Sequence, residues 1–212
     1  PILEGYGLSE TSPMVTFNHL HKERKVGSSG VPVRGVEVKV VNEKGEVVPT
    51  GEIGEIIIRG HNVMRGYFNK PEATAKAINA DGWFFSGDLG RLDEDGYLWY
   101  HGRNDDLMNA MGYRVSPLEV EHALSAHPDI AEVAVTEVRI SDQVSIICAF
   151  VVPKDADNAD AANILNFAQT HLARYKCPRE VIFIEALPRT ANGKVRRRSL
   201  PEFHASAANK LL

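Results

Sequence analysis

The sequence predicts a β-rich segment followed by a small α+β domain. The first half carries short β-branched runs bounded by glycines and turn residues, such as GEIIIRG at 54–60, and this is the pattern of strands. The composition changes near residues 103–106, and the second half then follows the order helix, strand, strand, helix, strand. Such an order is typical of a layered α+β domain. We therefore expect two domains, at residues 1–103 and 104–212.

In the first half, two hairpins and one short helix are predicted. Residues 36–48 have the pattern of a hairpin that turns at NEKG, and residues 91–103 that of a second hairpin that turns at Asp95–Gly96. The helix begins at Pro71, because proline suits the first helical turn, and continues through good helix formers (PEATAKAI). This half of the chain is therefore predicted to be mainly β-structure.

The second half begins with a helix that has its own start signal. Ser116 is followed three residues later by Glu119, which is the spacing of a capping box. Pro117 occupies the first helical position. The helix presents apolar residues on one side and ends before the sequence HPD. We expect it to pack that side against the strands that follow.

Two apolar strands come next, at 131–135 and 144–152, and a third at 180–184. The helix between the second and third strands carries apolar residues at the i, i+3, i+4, i+7 spacing of a buried stripe. Its apolar residues are Ala161, Ile164, Leu165, Ala168 and Leu172. These elements complete a domain of the order αββαβ.

The composition excludes several classes of function. Of the 212 residues, 43% are hydrophobic and 25% are charged, as in ordinary globular proteins. The net charge of −4 argues against nucleic acid as the main partner, since duplex-binding proteins present a net basic face. No apolar run reaches the roughly 18 residues that a membrane helix needs. Cys148 and Cys177 have no CxxC spacing, so we expect reduced thiols and a cytoplasmic location.

Residues 5–11, GYGLSET, combine two glycines, a tyrosine, hydroxyls and a carboxylate. Tyr6 offers a flat face to a base, and the glycines let a ligand approach the backbone. Ser9 can bond a phosphate oxygen, and Glu10 can hold a hard divalent ion through its oxygens. Taken alone, the same residues also describe a polar glycine-rich loop without a ligand.

Four further positions are candidates for a nucleotide site, each with a simpler interpretation. Asp88 lies between glycines after an aromatic strand (GWFFSGDLG), where a carboxylate can accept two ribose hydroxyls or only turn the chain. Arg103 and Asp105 are site residues or a surface ion pair of little energetic weight. Lys194 follows an Asn-Gly turn, so its ammonium reaches a reaction centre or is simply solvated.

The order of five motifs resembles the adenylate-forming superfamily, which includes acyl-CoA synthetases, peptide-synthetase adenylation domains and firefly luciferase. The motifs are GYGLSET (5–11), GEIGEIIIRGHNVMRGYFNKPEAT (51–74), DGWFFSGDLGRLDEDGYLWYHGRNDD (81–106), MGYRVSPLEVE (111–121) and LPRTANGK (187–194). The resemblance covers nearly the whole chain. It implies a C-terminal fragment, in which a distorted, barrel-like β-rich remnant of the large N-terminal domain precedes the whole small, mobile C-terminal domain.

The resemblance implies a nucleotide site in the first segment. Tyr6 would stack on adenine, and Gly5 and Gly7 would shape the adenine and acyl pockets. Asp88 and Arg103 would hold the ribose hydroxyls. ATP is the nucleotide of this family, so these residues are the expected ATP contacts.

The resemblance also implies where the chemistry occurs. Ser9 would face the α-phosphate and Glu10 the Mg²⁺ ion; relatives mostly carry threonine where this chain has Ser9. Lys194 resembles the lysine of the adenylation step, in which a cation near the α-phosphate stabilises the charge that develops there. The three arginines that follow it, at 196–198, are expected to be solvated or to attract phosphate.

A second step of the family involves coenzyme A. Asp105 resembles the family's hinge, and the loop at 111–115, with Gly112 and Arg114, would line the pantetheine tunnel. Many relatives carry lysine where this chain has Asn109, which leaves the role of that position open. One small domain would turn about the hinge and present Lys194 for the first reaction and the loop for the second.

The function that the resemblance favours is that of a CoA ligase for a fatty or aromatic acid, because GRNDDLMNAMGYRVSPLEVE looks closest to those enzymes. Its substrates would be the acid, ATP and CoA. An adenylation domain that loads a carrier protein is the first alternative, and a luciferase-like monooxygenase is another, although the terminal NKLL is not a peroxisomal SKL signal. A nonenzymatic module whose KVRRR run docks nucleic acid or an acidic partner is an alternative from another class.

The family's phosphate loop, rich in Ser, Thr and Gly and ending in lysine, has no match in this sequence. In the family that loop lies upstream, together with most of the acyl pocket. We therefore expect the parent to be the enzyme and the rest of its N-terminal domain to be a partner of this segment. We expect the chain alone to be inactive.

Overall fold

A computed structural model describes residues 2–21, 23–110, 112–141 and 144–208. The chain divides into two compact units, Pro1–Asp105 and Asp106–Leu212, which are called the first and second unit below. The division falls two residues after the boundary expected from the sequence. No helix in the described ranges is both long and apolar enough to cross a membrane.

The first unit contains two antiparallel sheets, as its β-branched runs predict. One has the strands β1 (Gly5–Gly7), β2 (Met14–Phe17) and β3 (Val31–Pro32). The other has the strands β4 (Val36–Val41), β5 (Gly54–Gly60), β6 (Phe84–Leu92) and β7 (Leu98–Arg103). The barrel-like part of the prediction is wrong. A barrel requires its edge strands to pair, whereas both sheets of the described chain stay open at their edges.

Local sequence explains most of the remaining elements of the first unit. The predicted helix is α1 (Pro71–Ala77), with proline in its first turn. The hairpin predicted at 91–103 is present as β6 and β7. The hairpin at 36–48 closes through a bridge from Val41 to Val47 and a hydrogen bond from the N–H of Val48 to the carbonyl of Val40. The core lies between the sheets' apolar residues, with Val15, Ile56, Ile58 and Leu98 fully buried.

The second unit confirms the predicted αββαβ order and adds a hairpin before it and a helix after it. Its elements are β8 (Met108–Ala110), β9 (Tyr113–Val115), α2 (Pro117–Leu124), β10 (Ile130–Ser141), β11 (Val144–Pro153), α3 (Ala161–His171), β12 (Glu180–Phe183) and α4 (Leu200–Ala208). The strands β10 and β11 pair antiparallel, and β12 joins β11 in parallel. These three strands form the main sheet of the second unit.

Successive residues of β11 belong to two different cores. Ile147, Ala149 and Val151 pack in the cluster that includes buried residues of α2 and α3. Cys148 and Phe150 pack in the cluster that includes Leu200 at the start of α4. Because successive strand residues point to opposite faces, the apolar run of β11 reflects burial on both sides of the sheet. Cys148 and Cys177 are both free and buried.

The helix signals of the second unit are confirmed in part. Ile164 and Ala168 are the buried members of the predicted stripe of α3, and Pro117 stands at the start of α2. The predicted capping box of α2 is wrong, since Ser116 makes no side-chain cap hydrogen bond. Glu119 instead accepts a hydrogen bond from Lys176, 57 residues away, so a tertiary ion pair takes the carboxylate that the box requires.

Candidate functional site

The first unit brings together Tyr6, Asp88 and Arg103, which come from two motifs far apart in sequence. Asp88 and Arg103 are direct partners in the ladder of β6 and β7. The Tyr6 hydroxyl donates a hydrogen bond to Asp88 Oδ2 at 2.6 Å, and Arg103 Nη1 lies 3.4 Å from Asp88 Oδ1. One carboxylate is therefore shared by a phenol and a guanidinium, and each contacts a different oxygen.

Burial governs the electrostatics of this group. Asp88 is 3% exposed, and its burial raises the pKa of the carboxyl, although the Tyr6 hydrogen bond and the Arg103 charge act in the opposite direction. Burial, together with the hydrogen bond to Asp88, also raises the pKa of Tyr6. Tyr6 therefore remains a hydroxyl donor at neutral pH. An ionised carboxylate has about four lone-pair sites, so Asp88 keeps acceptor capacity beyond these two partners.

A bulge in β6 places Asp88 at this position. Gly87 adopts a φ of +70°, which favours glycine, and its N–H donates to Glu55 Oε1 at 2.9 Å. The Ser86 hydroxyl donates to the carbonyl of Ile56 at 2.6 Å and accepts from the N–H of Asp88 at 3.1 Å. Sequence reasoning missed the supporting roles of Ser86 and Glu55. The only local signal was a serine directly before the Gly-Asp pair.

The ring of Tyr6 is more enclosed than the sequence suggested. Tyr6 is 8% exposed, and its ring stacks on that of Tyr100 with centroids 5.8 Å apart and planes at 30°. Tyr100 is 38% exposed, so the outer ring of this aromatic pair is the accessible one. Tyr100 was not among the predicted site residues, since a lone aromatic in a strand gives no sequence signal of its own.

Gly5 and Gly7 have a reason in the unit's own packing. A Cβ atom on Gly5 would lie 2.4 Å from the ring of Phe17, and one on Gly7 would lie 1.8 Å from the carbonyl oxygen of Pro13. Both glycines therefore allow β1 to lie against β2 and the residue that precedes it. This close packing of β1 keeps Tyr6, which lies between the two glycines, in position for its hydrogen bond to Asp88.

Ser9 and Glu10 lie in a short 3₁₀ turn, Ser9–Thr11, directly after β1. Buried Thr11 holds this turn, since its hydroxyl accepts from the N–H of Leu8 at 3.1 Å and donates to the carbonyl of Pro13 at 2.8 Å. The Ser9 side chain is exposed. Thr11 was counted among the motif's hydroxyls, but its structural role could not be read from the sequence.

Glu10 is half-buried, and its Oε1 accepts a hydrogen bond from the Tyr67 hydroxyl at 3.1 Å. Burial and this carboxylate raise the pKa of Tyr67. In the described ranges there is no cluster of three or more His, Cys, Asp or Glu side chains that could hold a metal ion. A lone carboxylate fits Mg²⁺ that arrives with phosphate ligands, since Mg²⁺ is usually held by one or two carboxylates plus substrate phosphates.

In the second unit, Lys194 stands at the end of a tight hairpin. Arg189 and Val195 form a bridge, the N–H of Thr190 donates to the Lys194 carbonyl at 2.8 Å, and Gly193 turns the chain with a φ of +80°. The Lys194 side chain is exposed, and its ammonium contacts no acceptor in the described part of the chain. The Asn-Gly turn is thus confirmed, and it presents a cation without an internal partner.

Two arginines near Lys194 have partners of their own. Arg189 donates to Glu132 Oε2 and to the carbonyl of Gly193, both at 2.8 Å. Arg197 donates to the carboxylate of Glu121 and is mostly buried. The expectation that all three arginines at 196–198 are solvated or attract phosphate is therefore wrong for Arg197. Its side chain turns inward because a carboxylate on α2 lies within reach.

The remaining predicted site residues lie close, along the chain, to the boundary between the two units. Asp105 ends the first unit and accepts a hydrogen bond from Arg103 Nε at 3.2 Å. The predicted loop at 111–115 is largely the hairpin of β8 and β9, in which Gly112 has a φ of +88° and Arg114 is exposed. Met111 lies outside the described residues. Asn109 pairs with Arg114 across the hairpin, and its N–H donates to Glu137 Oε2 at 2.8 Å.

This arrangement belongs to a known class. The AMP-binding enzyme family matches residues 1–68, and the C-terminal domain of AMP-binding enzymes matches residues 119–194. The chain therefore belongs to the AMP-binding, adenylate-forming enzymes, and the resemblance seen in the five motifs is confirmed.

Relatives that match over almost the whole chain include acid–CoA ligases. The chain is 43% identical over 202 residues to the long-chain-fatty-acid–CoA ligase of Bacillus subtilis (strain 168), covering 95% of this chain and 36% of that enzyme. It is 40% identical over 198 residues to the indoleacetate–CoA ligase of Aromatoleum aromaticum, covering 93% of this chain and 39% of that enzyme. The chain thus spans about two-fifths of the length of these relatives.

Solved structures agree with this assignment. ATP-bound MatB from Rhodopseudomonas palustris matches with a TM-score of 0.90 and 37% identity, over 97% of this chain and 41% of that one. The O-succinylbenzoate coenzyme A synthetase MenE from Bacillus subtilis, in complex with ATP and magnesium ion, matches with a TM-score of 0.84 and 33% identity, over 94% of this chain and 41% of that one. The fold is therefore that of adenylate-forming enzymes.

Proposed function

We propose that this chain is the C-terminal part of an AMP-forming acid–CoA ligase. The parent would react a carboxylic acid with ATP to give an acyl-adenylate and pyrophosphate, and would then transfer the acyl group to CoA and release AMP. The observation that carries this proposal is the Tyr6–Asp88–Arg103 group, a buried carboxylate with spare acceptor capacity beside an aromatic pair. The named relatives, which are CoA ligases, support it.

In this proposal the nucleoside of ATP binds at Asp88. The ribose hydroxyls donate to the carboxylate oxygens of Asp88, and Arg103 holds the carboxylate and contributes a hydrogen-bond donor. The base stacks on the aromatic pair of Tyr6 and Tyr100. Base stacking on aromatic side chains is worth about 1–3 kcal/mol per base, so both the sugar and the base contacts would contribute to affinity.

Ser9 and Glu10 handle the phosphates in this proposal. The exposed hydroxyl of Ser9 donates to an α-phosphate oxygen. Glu10, whose other carboxylate oxygen accepts no hydrogen bond from the described residues, would hold the Mg²⁺ that accompanies ATP. When bound, this ion would neutralise phosphate charge and favour departure of pyrophosphate. MenE was solved with ATP and magnesium ion, which supports the assignment of ATP and Mg²⁺ as ligands.

Lys194 would act in the adenylation step. A carboxylate oxygen of the acid forms a bond to the α-phosphorus, the bond from this phosphorus to the pyrophosphate oxygen breaks, and negative charge rises on the phosphoryl oxygens. Among the described residues, Lys194 has no acceptor to release before it meets these oxygens. A preorganised donor directed at a developing charge is typically worth 10²–10³ in rate, or about 3–4 kcal/mol.

The second step would use a different part of the second unit. The thiol of CoA attacks the acyl carbon, the bond to the AMP oxygen breaks, and AMP leaves with the electron pair. The hairpin of β8 and β9, with Gly112 and the exposed Arg114, would line the passage for the pantetheine arm. Asp105 would be the hinge about which the second unit turns, so that Lys194 leaves the reaction centre and this hairpin takes its place. Hinges are a few residues in loops or at the ends of elements that absorb large φ and ψ changes.

The test of this function uses the complete ligase that contains this segment. Pyrophosphate exchange into ATP should depend on added carboxylic acid, and a panel of fatty and aromatic acids should identify the substrate class. Thioester should then form with CoA and not with a carrier protein. Transfer to a carrier protein alone would favour an adenylation domain, and the absence of any acid-dependent exchange would contradict the proposed function. The chain by itself is expected to remain at background.

The hinge has its own test. Asp105→Pro fixes φ near −65° and removes an N–H, so it should lock the second unit in one orientation and preserve one half-reaction while the other is largely lost. Asp105→Ala is the control, because it removes the carboxylate and leaves the backbone free. Two normal half-reactions in the proline variant would place the hinge elsewhere, at Asn104 or Asp106.

A further inference from the structure

A largely buried ion pair lies between α2 and the segment that follows Lys194. Arg197 Nη2 contacts both oxygens of Glu121, at 2.8 Å and 2.6 Å, across 76 residues of sequence. The two side chains are 18% and 12% exposed. Glu121 Oε1 also accepts the N–H of Val135 on β10 at 2.8 Å. The carboxylate therefore joins the helix, the sheet and the C-terminal segment at one point.

This pair lies close to the lysine hairpin along the chain. Arg197 follows Lys194 by three residues and opens a 3₁₀ turn, Arg197–Ser199, that leads directly into α4. The N–H of Arg196 donates to the carbonyl of Pro188 at 2.8 Å, which closes the base of the hairpin. Leu200 is fully buried. The base of the hairpin is therefore fixed by the closing bond, the Arg197 ion pair and the buried leucine.

The pair is poorly suited to the role of a simple stabiliser. Burying two charges has a desolvation cost that often equals or exceeds their attraction, and apolar residues of similar volume frequently serve stability as well or better. Arg197 Nε is buried without any hydrogen-bond partner, which is a further cost. What an ion pair offers and an apolar pair lacks is direction, because Arg197 Nη2 must stay within hydrogen-bond distance of both carboxylate oxygens.

We propose that Glu121 and Arg197 are positioning residues that set the direction of the Lys194 hairpin for the adenylation step. This inference rests on the proposed function of Lys194. Neither residue touches substrate; both act through the backbone between Arg197 and Lys194. A hairpin held at its base keeps the ammonium near one place, so less conformational freedom is lost when the reaction occurs. Small misplacements of a reacting group cost up to about 10²-fold in rate.

The first part of the experiment measures the hairpin in the 212-residue chain. Arg197→Met should raise hydrogen–deuterium exchange at the amides of residues 190–194 by roughly tenfold, since each tenfold change in exchange corresponds to about 1.4 kcal/mol of local opening. Trypsin should also cleave faster after Lys194 and Arg196. Arg197→Lys should restore protection, because only one nitrogen of Arg197 contacts Glu121.

Glu132→Gln is the matched control. It breaks the Arg189–Glu132 ion pair on the other strand of the hairpin, which is 44% and 46% exposed. Exposed pairs contribute little, so this control should leave hydrogen exchange at residues 190–194 within about twofold of wild type. Equal effects of Glu132→Gln and Arg197→Met would contradict a special role for the buried pair.

The second part measures the half-reactions of the complete ligase. Arg197→Met should slow adenylate formation by roughly 10- to 100-fold and leave thioester formation from added acyl-adenylate near wild type. In a Lys194→Ala background the same substitution should have no further effect on adenylation, because it acts through Lys194. An equal loss in both half-reactions, or a full further loss in that background, would overturn the proposal.

A double variant separates positioning from folding. Glu121→Gln with Arg197→Met removes both charges but keeps a side-chain oxygen that can accept the N–H of Val135, so the unit should keep a melting temperature close to that of wild type while adenylation stays slow. If adenylation is restored in this variant, the ion pair has only a structural role. If Lys194→Ala itself leaves adenylation unchanged, the role of Lys194 is wrong and the positioning role falls with it. If only Arg197→Met is without effect, the positioning role alone is wrong.

Discussion

The Asp88 group of the first unit and the Lys194 hairpin of the second unit present their charges in opposite ways. Asp88 is 3% exposed and already engages Tyr6 and Arg103. Lys194 is exposed and engages no acceptor in the described part of the chain, while its neighbours Arg189 and Arg197 both have carboxylate partners. The Asp88 carboxylate is therefore part of a buried hydrogen-bond network, whereas the Lys194 ammonium is exposed to solvent.

The difference corresponds to the two tasks proposed for these groups. A group that binds the same ribose throughout a reaction gains from a rigid, prearranged environment, because no reorganisation is needed when the ligand arrives. A cation that is needed in one step and absent in the next must have no strong internal partner, since breaking such a contact would oppose each return to the site. The following predictions test this contrast.

The largest effect is expected for Lys194→Ala in the complete ligase. Adenylate formation should fall by roughly 10²–10³, because a donor to the developing charge is lost, while thioester formation from added acyl-adenylate should persist. The two rates are measured separately by pyrophosphate exchange and by CoA consumption. Arg196→Ala is the control, since it removes a neighbouring exposed cation and should be mild. Equal losses in both half-reactions would make Lys194 a structural residue.

Asp88→Asn should weaken ATP binding by roughly 10- to 100-fold, which corresponds to the 1.5–3 kcal/mol of hydrogen bonds to a charged group. The amide accepts fewer hydrogen bonds and leaves Arg103 without its buried counter-charge. Titration calorimetry with ATP measures the change directly. Asp81→Asn replaces an exposed aspartate of the same region and should bind normally. Unchanged ATP affinity in Asp88→Asn would place the ribose elsewhere.

Tyr6→Phe should have a smaller effect, of a few-fold on ATP affinity, because the ring keeps its contact with Tyr100 and only the hydroxyl is lost. It should also change the pH dependence. Burial raises the pKa of Asp88 and the Tyr6 hydrogen bond opposes this, so removal of the hydroxyl raises that pKa further. Binding that needs the ionised carboxylate should then fail at a higher pH than in wild type. ATP affinity measured across the acidic range checks the shift.

The smallest effect concerns the β6–β7 turn, which contributes no residue to the proposed site. Although burial acts to raise it, hydrogen bonds from Lys25, Trp99 and backbone N–H groups lower the pKa of Asp93 from 3.8 to about 2. A carboxyl group whose pKa is lower in the folded state than in the unfolded state stabilises the fold at pH values above its unfolded-state pKa. This stabilisation is lost as the pH falls through the folded-state pKa. The wild type should therefore continue to lose stability as the pH falls toward 2.

Asp93→Asn should remove this part of the acid dependence and lower stability at neutral pH. Tryptophan fluorescence reports the change, since Trp83 and Trp99 are the two tryptophans of the sequence and both lie in the first unit. Asp95→Asn is the control, because Asp95 also pairs with Lys25 but is 67% exposed. An acid transition that is the same in Asp93→Asn and wild type would contradict the prediction.

Patterns of neighbouring residues predicted most of the fold. Strand β5 and helices α1 and α3 follow from β-branched runs, a helix-starting proline and an apolar stripe, all of which act within one element. The failures were long-range. Glu119 meets Lys176 and does not cap its own helix, and the sheets of the first unit do not close into a barrel. Neither outcome depends on local propensity.

The candidate site shows the same division. Short motifs predicted Tyr6, Asp88 and Arg103 as site residues, and the structure brings these three side chains together. The sequence could not show that Tyr6 donates to Asp88, that Glu55 and Ser86 hold the bulge at Gly87, or that Tyr100 covers the ring of Tyr6. Apart from the bond between Ser86 and Asp88, these contacts join positions that are far apart in the chain, and local preferences do not determine them.

The sequence by itself determined which groups are present, which segments become strands and helices, and the class of enzyme. Only the tertiary structure decided which charges are free and which are engaged. Lys194, Arg196 and Arg197 are near neighbours in one basic run, yet Arg197 turns inward to Glu121 and Lys194 stays in solvent. The reason is physical: the energy of a charge depends on burial and on partners within a few ångströms. Folding, and not sequence proximity, brings those partners within reach.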